Sequence, residues 1–213
     1  MTTQLHDAPQ YAGPRLDPAT CPDAPSPLFA AWLAEALATD PDFGNAMTLA
    51  TVGLDGAPSV RIVLLKEFDA HGFVFFTNYT SRKGVELAAR PRAALLFHWP
   101  AQMRQVRVTG AVERVSPAEA DAYFAVRPRA SQLAAIASPQ SQPITAAALE
   151  ARLAEVARAH AGGASPVRPA TWGGYRLRPA ELEFWQGQPS RLHDRVSYQQ
   201  NADGTWMRVR LAP

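Results

Sequence analysis

Cysteine is nearly absent from this chain: Cys21 is the only one in 213 residues. A lone thiol makes no internal disulfide, and no His or Cys stands near it at metal-ligand spacing. Long apolar runs are missing too, and none approaches the ~20 residues that a membrane-spanning helix needs. Met1 to Asp7 has no basic stretch leading into an apolar one, so no signal peptide is expected and the cytoplasm is the expected location. Neither sign of charge dominates. The 21 Lys and Arg stand against 19 Asp and Glu, a net charge of +2, which leaves no polycation for nonspecific nucleic-acid binding. Familiar catalytic signatures are also lacking, with no Gly-x-Gly-x-x-Gly after a strand, no Walker loop and no Gly-x-Ser-x-Gly elbow. The five histidines are scattered, so no metal site is expected.

What is present reads as a globular protein, with 47% hydrophobic and 19% charged residues. Residues 1–25, rich in Pro, Asp and Ala, are expected to form a mobile arm, and 26–213 a single domain. Ser26-Pro27 looks like a helix start, and Leu28 to Ala38 predicts an amphipathic helix carrying Trp32. Strands are predicted at Ala46 to Val52 and Ser59 to Phe68, joined by an Asp55-Gly56 hairpin, and at Phe73 to Thr77. Ser81 is a candidate cap for a helix to about Ala89. Strands at Ala93 to Trp99 and Met103 to Val115 precede helices at Pro117 to Val126, Ala130 to Ala137 and Ile144 to Ala161. Trp172 to Arg178, Glu181 to Gln186, Arg191 to Gln199 and Trp206 to Leu211 return to strand patterns. Hairpin-linked strands with helices grouped between them argue an α+β fold built on an antiparallel barrel or sheet.

Positive charge is local. At Thr77 to Lys83, a helix start combines hydroxyls, free N–H groups and the cations Arg82 and Lys83, an arrangement that suits a phosphate unless both side chains face water. Arg61 and Lys66 interrupt an apolar strand five positions apart, which puts them on opposite faces and predicts two separate anions; a snorkelling Lys66 is the ordinary alternative. Tyr123, Arg127 and Ser131 recur every four residues across Pro128 and again suit a phosphate. Gln105 could read the polar edge of a heterocycle. Arg191, His193 and Arg195 share one face if their segment is extended. Phosphate binders and ring-facing groups without a reactive triad imply that a phosphorylated cofactor supplies the chemistry.

These motifs, in order, resemble the pyridoxamine 5′-phosphate oxidase family. They are Arg61 to Lys66, Phe76-Thr77-Asn78 with Ser81-Arg82-Lys83, Gln105, Tyr123 to Ser131, Gln140-Ser141, Phe184 to Gly187, Arg191 to Arg195 and Arg210 to Pro213. The resemblance runs from about residue 28 to the end. It implies an FMN-binding split β-barrel of antiparallel strands with flanking helices, and a homodimer with FMN at the interface. It also implies oxidation of pyridoxamine and pyridoxine 5′-phosphate to pyridoxal 5′-phosphate, with O2 reduced to H2O2. By that resemblance Arg61, Ile62, Val63, Leu64, Leu65, Lys66, Phe76, Thr77, Arg82, Lys83, Gln105, Gln140, Ser141, Trp185 and Arg195 bind FMN. Lys66, Tyr123, Arg127, Ser131, Arg191, Leu192 and His193 bind substrate, with Arg191 and His193 catalytic over the pyridine ring. Phe76 stands where the family often has Tyr, and the arm carries a single arginine, Arg15, where relatives have several. The alternative is a non-catalytic split-barrel protein that binds FMN or pyridoxal phosphate, against which Arg191 and His193 speak.

Overall fold

A computed structural model of the chain describes residues 10–163 and 165–213; the first nine residues of the expected arm lie outside them. Two compact units emerge. One comprises the described residues up to Met47 with Leu95–Thr109 and Ala180–Pro213, the other Thr48–Ala94 and Gly110–Pro179.

The first unit's helix is α1 (Pro25–Thr39), which begins one residue before the expected Ser26-Pro27 start, with Pro25 in the first helical position. Its buried face is Phe29, Trp32 and Ala36. Phe29 meets Phe97 edge-on at 5.0 Å, and Trp32 meets Phe184 at 5.3 Å. Such aromatic pairs add roughly 0.5–1.5 kcal/mol each beyond their buried area.

The second unit carries the hairpin β1 (Ala46–Val52) and β2 (Pro58–Leu64), turned at Gly56 with φ 84°. Then come β3 (Glu67–Asp69), β4 (Gly72–Asn78) and α2 (Arg82–Ala89). β5 (Arg92–Trp99) and β6 (Arg104–Arg114) precede α3 (Pro117–Val126), α4 (Arg129–Ala137) and α5 (Ala146–Ala159). Ser116 and Glu119 close a capping box on α3, which fixes where that helix begins. β7 (Trp172–Gln186), β8 (Asp194–Gln200) and β9 (Trp206–Leu211) complete the chain. The sheet order is β2-β1-β5-β6-β7-β4-β3, with β8 on β7 and β9 on β8. The resolved pairings, β3–β4, β4–β7, β7–β8 and β8–β9, are antiparallel. The architecture is α+β, as the sequence predicts.

Three boundaries differ from expectation. The predicted strand Ser59 to Phe68 is broken at Leu65-Lys66, where the Lys66 N–H donates to Val74 O at 2.8 Å and a new strand starts. The two predicted strands at 172–178 and 181–186 are one continuous β7. The predicted strand from Arg191 begins instead at Asp194, because Pro189–Arg191 form a short 3-10 turn with Ser190 at φ 55° and Arg191 at φ 60°. Left-handed residues cannot continue a pleated ladder, so the ladder closes at Gln186 opposite Asp194.

Candidate functional site

In the second unit, a cavity of about 600 Å³ is bordered by Arg61, Ile62, Val63, Leu64 and Lys66, by Phe76 and Thr77 on β4, and by Lys83. Tyr123, Arg127, Ser131 and Gln140 complete its expected contacts, and Trp172, which was not expected there, also lines it. Leu65, the remaining member of the expected run, is buried away from it, 5% exposed. Among the described residues, four cations and no carboxylate border this space. Arg61 and Lys66 both border this cavity, and the strand break at Leu65-Lys66 ends the alternation from which opposite faces were expected.

The cations differ in what holds them. Arg61 donates to Ser59 Oγ at 2.5 Å, to Glu86 Oε2 at 3.1 Å and to the Thr51 hydroxyl. Glu86 also accepts from Thr51 at 2.5 Å, from Ser59 at 2.8 Å and from Arg82 Nε at 2.9 Å. Burial alone would raise the Glu86 pKa, but these hydrogen bonds outweigh it and hold the carboxyl at about 2. Sequence reasoning missed Glu86. Its signal was the four-residue step from Arg82 on one helix, an ion-pair spacing. Lys83 is 8% exposed and donates to Thr77 Oγ1 at 3.0 Å and Gln140 Oε1 at 3.2 Å. Desolvation and then Arg61 lower its pKa. Arg82 stays largely exposed and borders an adjacent groove with Gln140 and Ser141, the latter at φ 71°.

Among the described residues, Arg127 and Lys66 have no such partners. Arg127 Nη1 is buried without a hydrogen bond, while its guanidinium lies 4.6 Å above the Trp172 ring. Desolvation lowers the pKa of both groups, and the Arg127 charge lowers Lys66 further. Tyr123 stacks on Phe76 at 3.9 Å, so the phenol that was expected to share a helical face with Arg127 is fixed by aromatic packing. Pro128 does interrupt the helix, yet Tyr123, Arg127 and Ser131 still border one cavity.

The first unit holds the other expected residues. Trp185 and His193 lie 4.5 Å apart, ring to ring, and Tyr11 meets them edge-on at 5.5 and 5.2 Å. The Gln188 N–H donates to His193 Nδ1 at 3.1 Å, which leaves Nε2–H as the ring's donor. Arg195 pairs with Glu183 at 2.8 Å, and Arg107 contacts the same carboxylate. Gln105 is half-buried on β6. Arg191 and Leu192 are exposed in the turn before β8, so Arg191, His193 and Arg195 do not form the expected strand face. Tyr11 was not expected among the ring-facing residues. Nothing in an aperiodic segment marked it.

Residues 36–160 match the family model described as pyridoxamine 5′-phosphate oxidase, and 172–213 match that of the pyridoxine 5′-phosphate oxidase C-terminal dimerisation region. A pyridoxine/pyridoxamine 5′-phosphate oxidase of Cupriavidus metallidurans is 58% identical over 193 residues, covering 89% of this chain and 90% of that protein. Its namesake in Ralstonia pickettii is 56% identical over 214 residues and 100% of both chains. The solved structure of PhzG from Burkholderia lata, in complex with tetrahydrophenazine-1-carboxylic acid, has a TM-score of 0.86 and 32% identity over 94% of this chain and 99% of its own. A pyridoxamine 5′-phosphate oxidase-related, FMN-binding protein from Nostoc punctiforme shares the fold, with TM-score 0.69 and 20% identity over 87% of this chain and 97% of its own. The expected split β-barrel is the architecture of these chains.

Proposed function

Because the chain belongs to the pyridoxamine 5′-phosphate oxidase family, we propose that it oxidises pyridoxamine and pyridoxine 5′-phosphate to pyridoxal 5′-phosphate with FMN. Each turnover reduces one O2 to H2O2, and the amine substrate also consumes water and releases ammonia. The observation that carries this reading is the unpartnered Arg127 Nη1 beside Lys66, in a cavity whose described lining holds no carboxylate. A buried guanidinium donor with no acceptor is costly unless a ligand supplies one.

The residues fit FMN. Arg61, Lys83 and the Gln140 amide form a donor set already ordered by Glu86 and Thr77, which suits the cofactor phosphate. FMN, when bound, supplies the hydride acceptor and its reoxidation by O2. Lys66, Arg127, Tyr123 and Ser131 hold the substrate phosphate and so fix the position of the ring. His193 Nε2–H orients the polar substituents of the pyridine, and Arg191 stabilises charge on that ring. Homodimerisation through 172–213 follows the matched dimerisation region.

The test is an aerobic assay of the purified protein with pyridoxamine 5′-phosphate, following pyridoxal 5′-phosphate and H2O2 together. Equal appearance of both products supports the proposal. Turnover of tetrahydrophenazine-1-carboxylic acid in preference to the vitamer would transfer the chain to the chemistry suggested by its likeness to PhzG.

A further inference from the structure

Arg176, on β7, belongs to none of the expected binding groups, yet it is only 8% exposed and is surrounded by acids. Nη1 donates to Asp69 Oδ1 at 2.6 Å, Nη2 donates to Glu119 Oε1 at 3.1 Å, and Glu67 Oε1 is 3.8 Å away. Those acids come from β3, which begins directly after Lys66, and from α3, which carries Tyr123 and ends directly before Arg127. Glu67 and Asp69 lie on β3. Glu119 lies on α3 four residues before Tyr123, so the two share one side of that helix, and Arg127 follows as its C-cap.

Both acids are themselves anchored. Asp69 accepts from the His71 and Gly72 N–H groups at 2.8 and 3.0 Å, and Glu119 accepts from Ser116 N–H at 2.9 Å. The planar guanidinium fork therefore links two fixed points rather than two floppy side chains. Stability alone gives little reason for such a cluster, since apolar replacements of buried ion pairs are often neutral or stabilising. Among the described residues, by contrast, no salt bridge fixes Lys66 or Arg127, and Arg127 Nη1 has no hydrogen-bond acceptor.

We propose that Arg176 is a positioning residue that braces β3 against α3 and so sets the spacing of the Lys66–Arg127 phosphate clamp. The inference rests on the proposed function for the identity of the phosphate ligand. The experiment uses FMN-loaded protein and the variants Arg176→Gln and Arg176→Lys. Binding of pyridoxal 5′-phosphate and of unphosphorylated pyridoxal is titrated, and KM and kcat for pyridoxamine 5′-phosphate are measured.

Arg176→Gln is expected to weaken pyridoxal 5′-phosphate binding and raise KM on the order of tenfold to a hundredfold. Pyridoxal binding, FMN content and kcat should change little, and Arg176→Lys should recover part of the loss. Equal weakening for both ligands, or FMN loss in parallel, would mean a merely structural role and overturn the proposal. If Arg176→Gln does not fold, Asp69→Asn and Glu119→Gln each loosen one arm and must show the same phosphate-selective loss. Wild-type protein that binds pyridoxal 5′-phosphate without turnover would sink the functional reading but leave the brace testable. A wild type that binds no phosphate ligand overturns both.

Discussion

Arg61 and Arg127 border the same cavity under opposite conditions. Arg61 is enclosed by Thr51, Ser59 and Glu86, whereas Arg127 leaves a buried donor without any acceptor and rests on an aromatic face. A cation with an internal counter-anion is ordered before any ligand arrives, so it suits a resident cofactor. A cation without one gains most from an incoming anion, so it suits a substrate that comes and goes. The difference separates the two proposed phosphate sites better than strand alternation does.

Breaking the satisfied side should cost the most stability. Arg61→Met leaves Glu86 buried with one remaining salt bridge among the described residues, to Arg82, and a loss of about 3–5 kcal/mol is expected for removing one partner of a buried pair. Urea unfolding of the apoprotein reads this. A loss below ~1 kcal/mol would show that the Glu86 cluster is not a preformed unit.

Acid should act on the same cluster. The folded Glu86 pKa lies near 2, below its ordinary 4.5, so its contribution is complete above 4.5 and is lost as pH falls toward 2. The depression corresponds to roughly 3 kcal/mol. Glu86→Gln should flatten that part of the stability–pH curve, and parallel curves for the two proteins would contradict the assignment.

On the unsatisfied side the effect should fall on the ligand instead. Arg127→Met is expected to weaken pyridoxal 5′-phosphate binding roughly tenfold to a hundredfold, the worth of a charged hydrogen bond. Stability should move by less than about 1 kcal/mol, close to the value of its stacking on Trp172. The smallest effect is the alkaline one. Desolvation and Arg127 lower the Lys66 pKa, so Lys66 loses its proton before pH reaches 10.5, and phosphate-ligand affinity should decline from below that value. Lys66→Met should remove this decline, as a titration across the alkaline range would show.

Much of this contrast was legible in the sequence. Tyr123, Arg127 and Ser131 were placed together from four-residue spacing, and they do border one cavity despite Pro128. The strands Ala46–Val52 and Trp206–Leu211 fall where alternation put them. What alternation could not reveal was its own failure at Leu65-Lys66 and at Ser190-Arg191, where backbone geometry rather than side-chain pattern ends the strand. Glu86 was hidden for a different reason. Its partner Arg61 is 25 residues distant, and a buried carboxylate looks like any solvated helix residue until the chain folds. Arg176 has the same character, since its acids are brought from 57 and 107 residues away.

The most direct test of the account is spectroscopic. FMN-loaded protein is held without oxygen, pyridoxamine 5′-phosphate is added, and the visible flavin band is followed. The band should bleach and return with air as H2O2 appears. A band that stays unchanged while pyridoxal 5′-phosphate still binds would make the protein a carrier and contradict the oxidase reading.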